Sequence, residues 1–381
     1  MSRTLSFKRA EKKALFTCFS VIGGIRKKVL FQSFNGLSYS DNPRAISEAM
    51  HALYPDYELV WALKDNEKSR RNAPDYVRFV APYSVAFYRE LASSFCFVNN
   101  EAMRFDLPKR KGQFFIQTWH GDRGIKKILY DAWEDGQRPH PIMDEKMTDL
   151  FVVGSDYAQR RIQTAFRYHG EVLNAGCPRN DCLIFPAKAD QVRRAIGVED
   201  GKKLLLYAPT FRRNSKILPT PVNVAETLAH LNGRGGDWVC LMRAHPKAMG
   251  VDLQAAGNVI DVSGYPDMSD LLMIADALIT DYSSCAGDFI LRGKPVFLAQ
   301  FDLDRYTKEN RTFHVDITQS GYLITHTQEE LNRLIDTLTD QQIADNCEQI
   351  MRFFGAHETG RSAQQVCRMI DQRYQALRPG K

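Results

Sequence analysis

The sequence predicts an α/β chain of two doubly wound, Rossmann-like domains facing a cleft, preceded by a basic amphipathic helix. Three observations predict it. Short apolar runs of strand length alternate with helical patterns, and such alternation implies parallel sheets with helices on both faces. The alternation pauses at Gly176-Cys177-Pro178-Arg179-Asn180-Asp181 and restarts after Pro186. The chain has 381 residues, more than one ordinary core uses.

Residues 1–28 come first. Leu15, Phe16, Phe19 and Ile22 fall on one helical face, with Lys8, Arg9, Lys12 and Lys13 just before them. The stretch holds eight cations against Glu11, a balance of +7, so the rest of a chain of formal charge +6 carries −1. A near-neutral body excludes a nucleic-acid-binding face. A basic amphipathic helix can lie in a membrane interface, drawn by anionic lipid. It can equally pack on the body with its lysines in water. The apolar stretch Ala14–Ile25 is shorter than the ~20 residues of a membrane span. Arg26-Lys27-Lys28 stands where a signal peptide would carry small residues. The expectation is a protein that stays in the cytoplasm.

From Val29 the strand-like runs are Val29–Phe34, Tyr57–Ala62, Phe95–Asn99, Phe114–Thr118, Leu150–Val153 and Val172–Asn174, with helical patterns at Pro43–Leu53, Val85–Ala92 and Tyr157–Phe166. After Pro186 the strands are Leu204–Ala208, Trp238–Arg243, Val259–Val262, Ala277–Thr280 and Pro295–Leu298. Their helices are Asp190–Ile196, Val222–Leu231, Met268–Ile274 and Ser284–Leu291, and three more follow at Gln328–Leu338, Gln341–Phe354 and Ser362–Leu377. The domains expected are 29–186 and 187–350, with residues 351–381 packing back across them. The eight cysteines form no CxxC pair, which favours free buried thiols in a reducing compartment over disulfides or zinc.

Four loops at strand ends carry the chemistry, where open α/β sheets bind ligands. The first is Gln117-Thr118-Trp119-His120-Gly121-Asp122-Arg123-Gly124, an imidazole followed by glycines that let backbone approach a ligand. The second, Tyr207-Ala208-Pro209-Thr210-Phe211-Arg212-Arg213, offers a hydroxyl and guanidinium forks that suit phosphate oxygens. The third, Arg243-Ala244-His245-Pro246, again pairs cation with imidazole. The fourth, Thr280-Asp281-Tyr282-Ser283-Ser284, leads into a helical pattern whose N-terminus can take phosphate, with Asp288 one turn on and able to face a ribose hydroxyl. Each has a bland alternative: a hydrogen-bonded strand-end histidine, surface arginines, a serine cap. Their convergence favours a diphosphate held between two domains. There is no GxxxxGK[ST] and no strand-GxGxxG unit with its acidic residue, which excludes P-loop and dinucleotide fingerprints. No DxD-like metal site accompanies the loops, so a protein-bound metal is not required.

These motifs, with Gly176-x-Pro178-Arg179-Asn180-Asp181 and Gly360-Arg361-Ser362, resemble in order and spacing the CDP-glycerol glycerophosphotransferase family, the teichoic acid primases and polymerases, over about residues 29–370. The resemblance implies a GT-B fold with the nucleotide donor held mainly by the C-terminal domain. It implies a peripheral protein on the cytoplasmic face of a bacterial membrane. It also implies transfer of a polyol phosphate from CDP-glycerol or a related CDP-polyol to a hydroxyl of a lipid-linked or polysaccharide acceptor, with CMP leaving. His120 is then the general base. Arg243, His245, Ser283 and Ser284 neutralise the diphosphate; Gly121, Arg179, Pro209, Thr210 and Arg212 add contacts, and Asp288 binds donor. The family usually continues the first motif with Thr-Pro-Leu-Lys, whereas here Asp122-Arg123-Gly124-Ile125 precede Lys126-Lys127. The same loops would also suit a GT-B glycosyltransferase using a nucleotide-sugar. A non-catalytic membrane-docked scaffold has no physical need for His120, His245, Ser283 and Ser284.

Overall fold

Strand β1 (Arg26–Gln32) lies inside a seven-stranded sheet of order β3-β2-β1-β4-β5-β6-β7 in the computed structural model. The structure describes residues 3–103, 107–133, 143–210, 212, 222–244 and 258–377. The partners of β1 are β2 (Glu58–Ala62), β3 (Arg78–Val80), β4 (Ser94–Asn99), β5 (Phe114–Gln117), β6 (Leu150–Val153) and β7 (Glu171–Asn174), all paired parallel. A second sheet, also parallel, has the order β10-β9-β8-β11-β12-β13. Its strands are β8 (Lys203–Tyr207), β9 (Trp238–Met242), β10 (Val259–Asp261), β11 (Ala277–Thr280), β12 (Val296–Ala299) and β13 (Leu323–Thr325).

Both faces of the first sheet are covered, which is why its strands read as unbroken apolar runs. Successive side chains of β1 point to opposite faces. Val29 and Phe31 join Trp61, Val98, Ile116 and Val152, closed over by Val366, Cys367, Ile370 and Tyr374 of the helix Ser362–Ala376. Leu30 faces the other way, toward Val60, Phe97, Phe115 and Phe87. Burying each such side chain contributes about 1.5–3 kcal/mol. In the second sheet Leu205, Tyr207, Cys240, Met242 and Ile279 pack against Leu228, Leu231, Leu331 and Ile335.

The chain divides into two units. The first comprises Met1–His120, Pro139–Asp181 and His357–Lys381; the second comprises Gly121–Arg138 and Cys182–Ala356. The sequence reading put the division near residue 186 and kept 121–138 with the N-terminal domain; in the structure the described part of that stretch, 121–133, groups with the second unit. Strand order reverses direction between β1 and β4 in the first unit and between β8 and β11 in the second. Those switch points are where doubly wound sheets open a crevice at their carboxyl ends.

Three details depart from the sequence pattern. The N-terminal helix is Arg3–Ile22, and Arg26, Lys27 and Lys28 belong to β1, not to a helix running to residue 28. Lys28 is buried and its Nζ lies 2.7 Å from Glu90 Oε2. Phe16 is buried beside Leu30 and Phe87, whereas Val21 and Ile22 are 83% and 78% exposed, so the expected apolar face is split. The edge strands β3 and β13 are three residues long, too short to show a period. The helix expected over Ser284–Leu291 is Cys285–Phe289, continued by a single tight turn, Ile290–Arg292, and ended by Gly293 at φ +60°. All eight cysteines are free thiols. Among the described residues no helix is long and apolar enough to cross a membrane.

Candidate active site

In the first unit the site is built at the ends of β1, β4 and β5. Trp119, just past β5, holds φ +49°, a left-handed backbone that a bulky residue adopts only when its surroundings enforce it. Its N–H donates to Gln117 Oε1 at 2.9 Å and its carbonyl accepts from Asn42 Nδ2 at 3.0 Å. That turn delivers His120. The imidazole ring lies 4.1 Å from the Trp119 ring and 5.3 Å from that of Phe34, centroid to centroid.

His120 Nδ1 lies 2.7 Å from the Asn100 carbonyl. A carbonyl only accepts, so Nδ1 carries the proton and Nε2 keeps its lone pair. Burial lowers the His120 pKa below 6.5; the Glu101 carboxylate and the Asn100 carbonyl oppose this, and Arg179 and Arg161 reinforce it. The ring is therefore neutral at pH 7, the state a general base needs. Asn100 itself is fixed: its Oδ1 accepts from Phe34 N at 2.8 Å, and its Nδ2 donates to Ser33 Oγ at 3.2 Å and Asp41 Oδ1 at 3.1 Å. Phe34, Asn35 and Asp41 all hold positive φ, so left-handed backbone concentrates around this switch point. Arg179 is buried in the same unit. Its backbone N–H donates to Asn42 Oδ1 at 3.0 Å and its Nη1 is 3.7 Å from Asp41 Oδ1.

In the second unit the loops after β8 and β11 are strapped together by Asp281. Its carboxylate accepts from the Thr210 N–H at 3.0 Å, from Tyr282 N at 2.6 Å and from Arg212 Nη2 at 2.8 Å. Arg212 also reaches Asp302 from Nε and Nη2 at 2.8 and 3.0 Å, and the Thr210 carbonyl and Oγ1 from Nη1, both at 2.7 Å. All five of its N–H donors are thereby used. Its guanidinium centre lies 5.1 and 4.7 Å from the Tyr282 and Tyr306 ring centroids. The sequence reading offered Arg212 to phosphate; in the structure its donors are met by buried Asp281, part-buried Asp302 and Thr210, so its charge answers two carboxylates. Asp288, read as a donor contact, is buried with Oδ1 3.2 Å from Arg123 Nη2.

Pro209 is buried, and Thr210, Ser283, Ser284 and Arg243 are part-exposed at these strand ends. Ser283 Oγ accepts from Cys285 N at 3.4 Å, a long contact, and Ser284 makes no side-chain cap. Arg243 Nη1 donates to the Tyr265 carbonyl at 3.0 Å. Burial lowers its pKa, against Asp267, Cys285, Asp270 and Tyr265, which raise it. Gly121 is buried and groups with this second unit. His245, Pro246, Phe211 and Arg213 lie outside the described residues. Among the described residues no group of three or more His, Cys, Asp or Glu is placed to hold a metal ion.

The sequence reading missed Asn42, Asn100 and Glu101, which set the position and basicity of His120, and Asp281, which ties two loops. Asn42, Asn100 and Glu101 belong to no pattern that spacing alone reveals, and Asp281, though within the fourth loop, was given no role there.

Residues 16–372 match the family model described as CDP-Glycerol:Poly(glycerophosphate) glycerophosphotransferase. The chain belongs to this family. It is 30% identical over 311 residues to the teichoic acid poly(glycerol phosphate) polymerase of Staphylococcus epidermidis, covering 76% of this chain but 42% of that protein. It is 28% identical to the teichoic acid glycerol-phosphate transferase of Staphylococcus aureus, covering 96% of this chain and 98% of that one. The solved wall teichoic acid polymerase TagF superimposes with TM-score 0.83 at 26% identity, over 98% of this chain and 96% of the TagF chain. The two-sheet architecture is thus the GT-B-like fold of that polymerase. The family's matched members include teichoic acid glycerol-phosphate transferases and glycerol- and ribitol-phosphate polymerases.

Proposed function

We propose that the chain moves glycerol phosphate, or a related polyol phosphate, from a CDP-polyol to a hydroxyl of a teichoic acid or capsule-type acceptor and releases CMP. The observation that carries the reading is the His120 ring: protonated at Nδ1, held to the Asn100 carbonyl at 2.7 Å, and kept neutral by burial. The acceptor oxygen bonds to the phosphorus bearing the polyol. The bond from that phosphorus to the bridging oxygen breaks, and the bridging oxygen leaves with CMP. The acceptor's proton passes to His120 Nε2, worth about 10²–10⁴-fold in rate. Arg243, Thr210, Ser283, Ser284 and, beyond the described residues, His245 stabilise the phosphate charge, the main demand of phosphoryl transfer. Arg179 and Gly121 add contacts to the phosphates. Arg212 and Asp288 act by holding the donor loops in place. The N-terminal helix rests on a bacterial membrane, where a lipid-linked acceptor lies.

TagF variants solved with CDPG support the donor class, and a poly(ribitol-phosphate) polymerase also matches this chain, at 24% identity against 30% for a poly(glycerol phosphate) polymerase. The test is to offer CDP-glycerol, CDP-ribitol and a UDP-sugar with a lipid-linked acceptor, then to measure CMP and UDP release and weigh the product. CMP release with product heavier by one polyol phosphate is expected. UDP release with sugar transfer would replace the reading by a glycosyltransferase.

A further inference from the structure

The stretch after Gly121 is pinned at two points inside the second unit. Arg123 Nε donates to the Gly287 carbonyl at 2.7 Å and its Nη2 lies 3.2 Å from Asp288. Beyond it, residues 125–127 run antiparallel to 312–314. His314 N donates to the Ile125 carbonyl at 2.7 Å, Lys127 N donates to the Thr312 carbonyl at 3.0 Å, and Lys126 pairs with Phe313. Lys126 sits at the centre of that pairing, so its backbone has little freedom.

The charged and titratable groups around its side chain come from four elements: Asp281 after β11, Cys285 on the helix Cys285–Phe289, Arg212 after β8, and Arg311 after the helix Leu303–Glu309. Asp281 is already matched by Arg212 and two backbone N–H groups. The Lys126 ammonium makes no hydrogen bond or ion pair among the described residues. A cation part-buried beside two arginines, with the nearest carboxylate spent, is an arrangement completed by an anion. Phe313, the backbone partner of Lys126, stacks on the Tyr282 ring at 5.6 Å between centroids, and Tyr282 directly precedes Ser283 and Ser284.

We infer that Lys126 holds a phosphate oxygen of a nucleoside-diphosphate donor in the second unit. The inference rests on reading that unit as the donor unit. Burial draws the Lys126 pKa down to about 8, with Arg311 and Arg212 pushing the same way and Asp281 and Cys285 opposing. A bound phosphate favours the protonated amine. Donor affinity therefore falls as pH rises through about 8.

The experiment is calorimetric titration of the full chain with CDP and, separately, UDP, for wild type, Lys126→Arg and Lys126→Met, with melting temperatures measured alongside. Lys126→Met is expected to bind CDP about 10- to 100-fold more weakly, the loss of one hydrogen bond to a charged group. Lys126→Arg is expected to retain most of the affinity and to lose the decline through pH 8, since arginine stays charged. A folded Lys126→Met protein with wild-type CDP affinity would overturn the inference, as would a wild-type affinity that is flat through pH 8. Wild type that binds UDP but not CDP overturns the CDP reading alone, and Lys126 is then judged by the same UDP comparison. Wild type that binds neither overturns both.

Discussion

Arg123 and Gly287 touch so closely that a Cβ built on Gly287 would sit 2.5 Å from the Arg123 Cβ. The same arginine donates to the Gly287 carbonyl, and its side chain is fully buried. Asp122 and Arg123 are where the sequence reading has this chain depart from its family's usual motif. The departure packs inward, with Arg123 on Gly287 and Asp288.

Gly287→Ala is therefore expected to destabilise the protein, although alanine is favoured over glycine in a helix by about 1 kcal/mol. Overpacking at a buried contact costs about 1–3 kcal/mol, and here the obstacle is a Cβ next to backbone, not the tip of a flexible chain. Thermal unfolding checks it. A variant melting at or above the wild-type temperature would mean that the 121–127 segment moves aside freely.

The strands other than β3 and β13 were legible in the sequence because both faces of each sheet are buried, so an apolar run survives without alternation to confuse it. Trp61, Val98 and Ile116 are typical. The strand-end loops could be picked out as candidate sites, but the ion-pair partners of Arg212 and Asp288 could not. Their partners lie far along the chain: Arg212 meets Asp281 across 69 residues, and Asp288 meets Arg123 across 165. A charge at a strand end looks ligand-facing until the group that neutralises it is known. Asn100 escaped notice for a related reason, since an amide that orients a histidine carries no motif.

Arg212→Ala is expected to cost about 3–5 kcal/mol of stability, because buried Asp281 and part-buried Asp302 would be left without their cation. Activity should fall with the loop's order, and Lys in place of Arg should rescue poorly because it lacks the five-donor fork. Chemical denaturation of both variants measures this. A variant that unfolds like wild type yet binds CDP weakly would return Arg212 to direct phosphate contact.

The N-terminal helix divides its apolar residues between two tasks. Phe16 is core, so Phe16→Ala should destabilise by about 3–5 kcal/mol. Val21 and Ile22 are exposed, so Val21→Ser with Ile22→Ser should leave stability within about 0.5 kcal/mol. The double variant should bind anionic vesicles less, and the remaining binding should weaken as salt screens the basic residues. Equal co-sedimentation of the double variant and wild type at every salt concentration would remove these residues from any membrane contact.

The sharpest prediction concerns how Glu101 tunes His120. The base works when neutral, so turnover should be lost as pH falls through the His120 pKa, which burial places below 6.5. The Glu101 carboxylate raises that pKa, since a nearby negative charge favours the protonated ring. Glu101→Gln removes the charge and keeps the shape, so the acid limb of the rate profile should move to lower pH. Turnover at neutral pH should change little, because the ring is already unprotonated there. His120→Ala should instead lower turnover by about 10²–10⁴-fold at every pH and abolish the limb. CDP affinity should hold in both variants, the diphosphate being assigned to loops of the other unit. A residue that merely supported the fold would shift the melting temperature and leave the limb in place. An acid limb at the same pH in wild type and Glu101→Gln would show that the carboxylate does not act on the base. A limb that persists in His120→Ala would move the base elsewhere, with His245 the next imidazole to test.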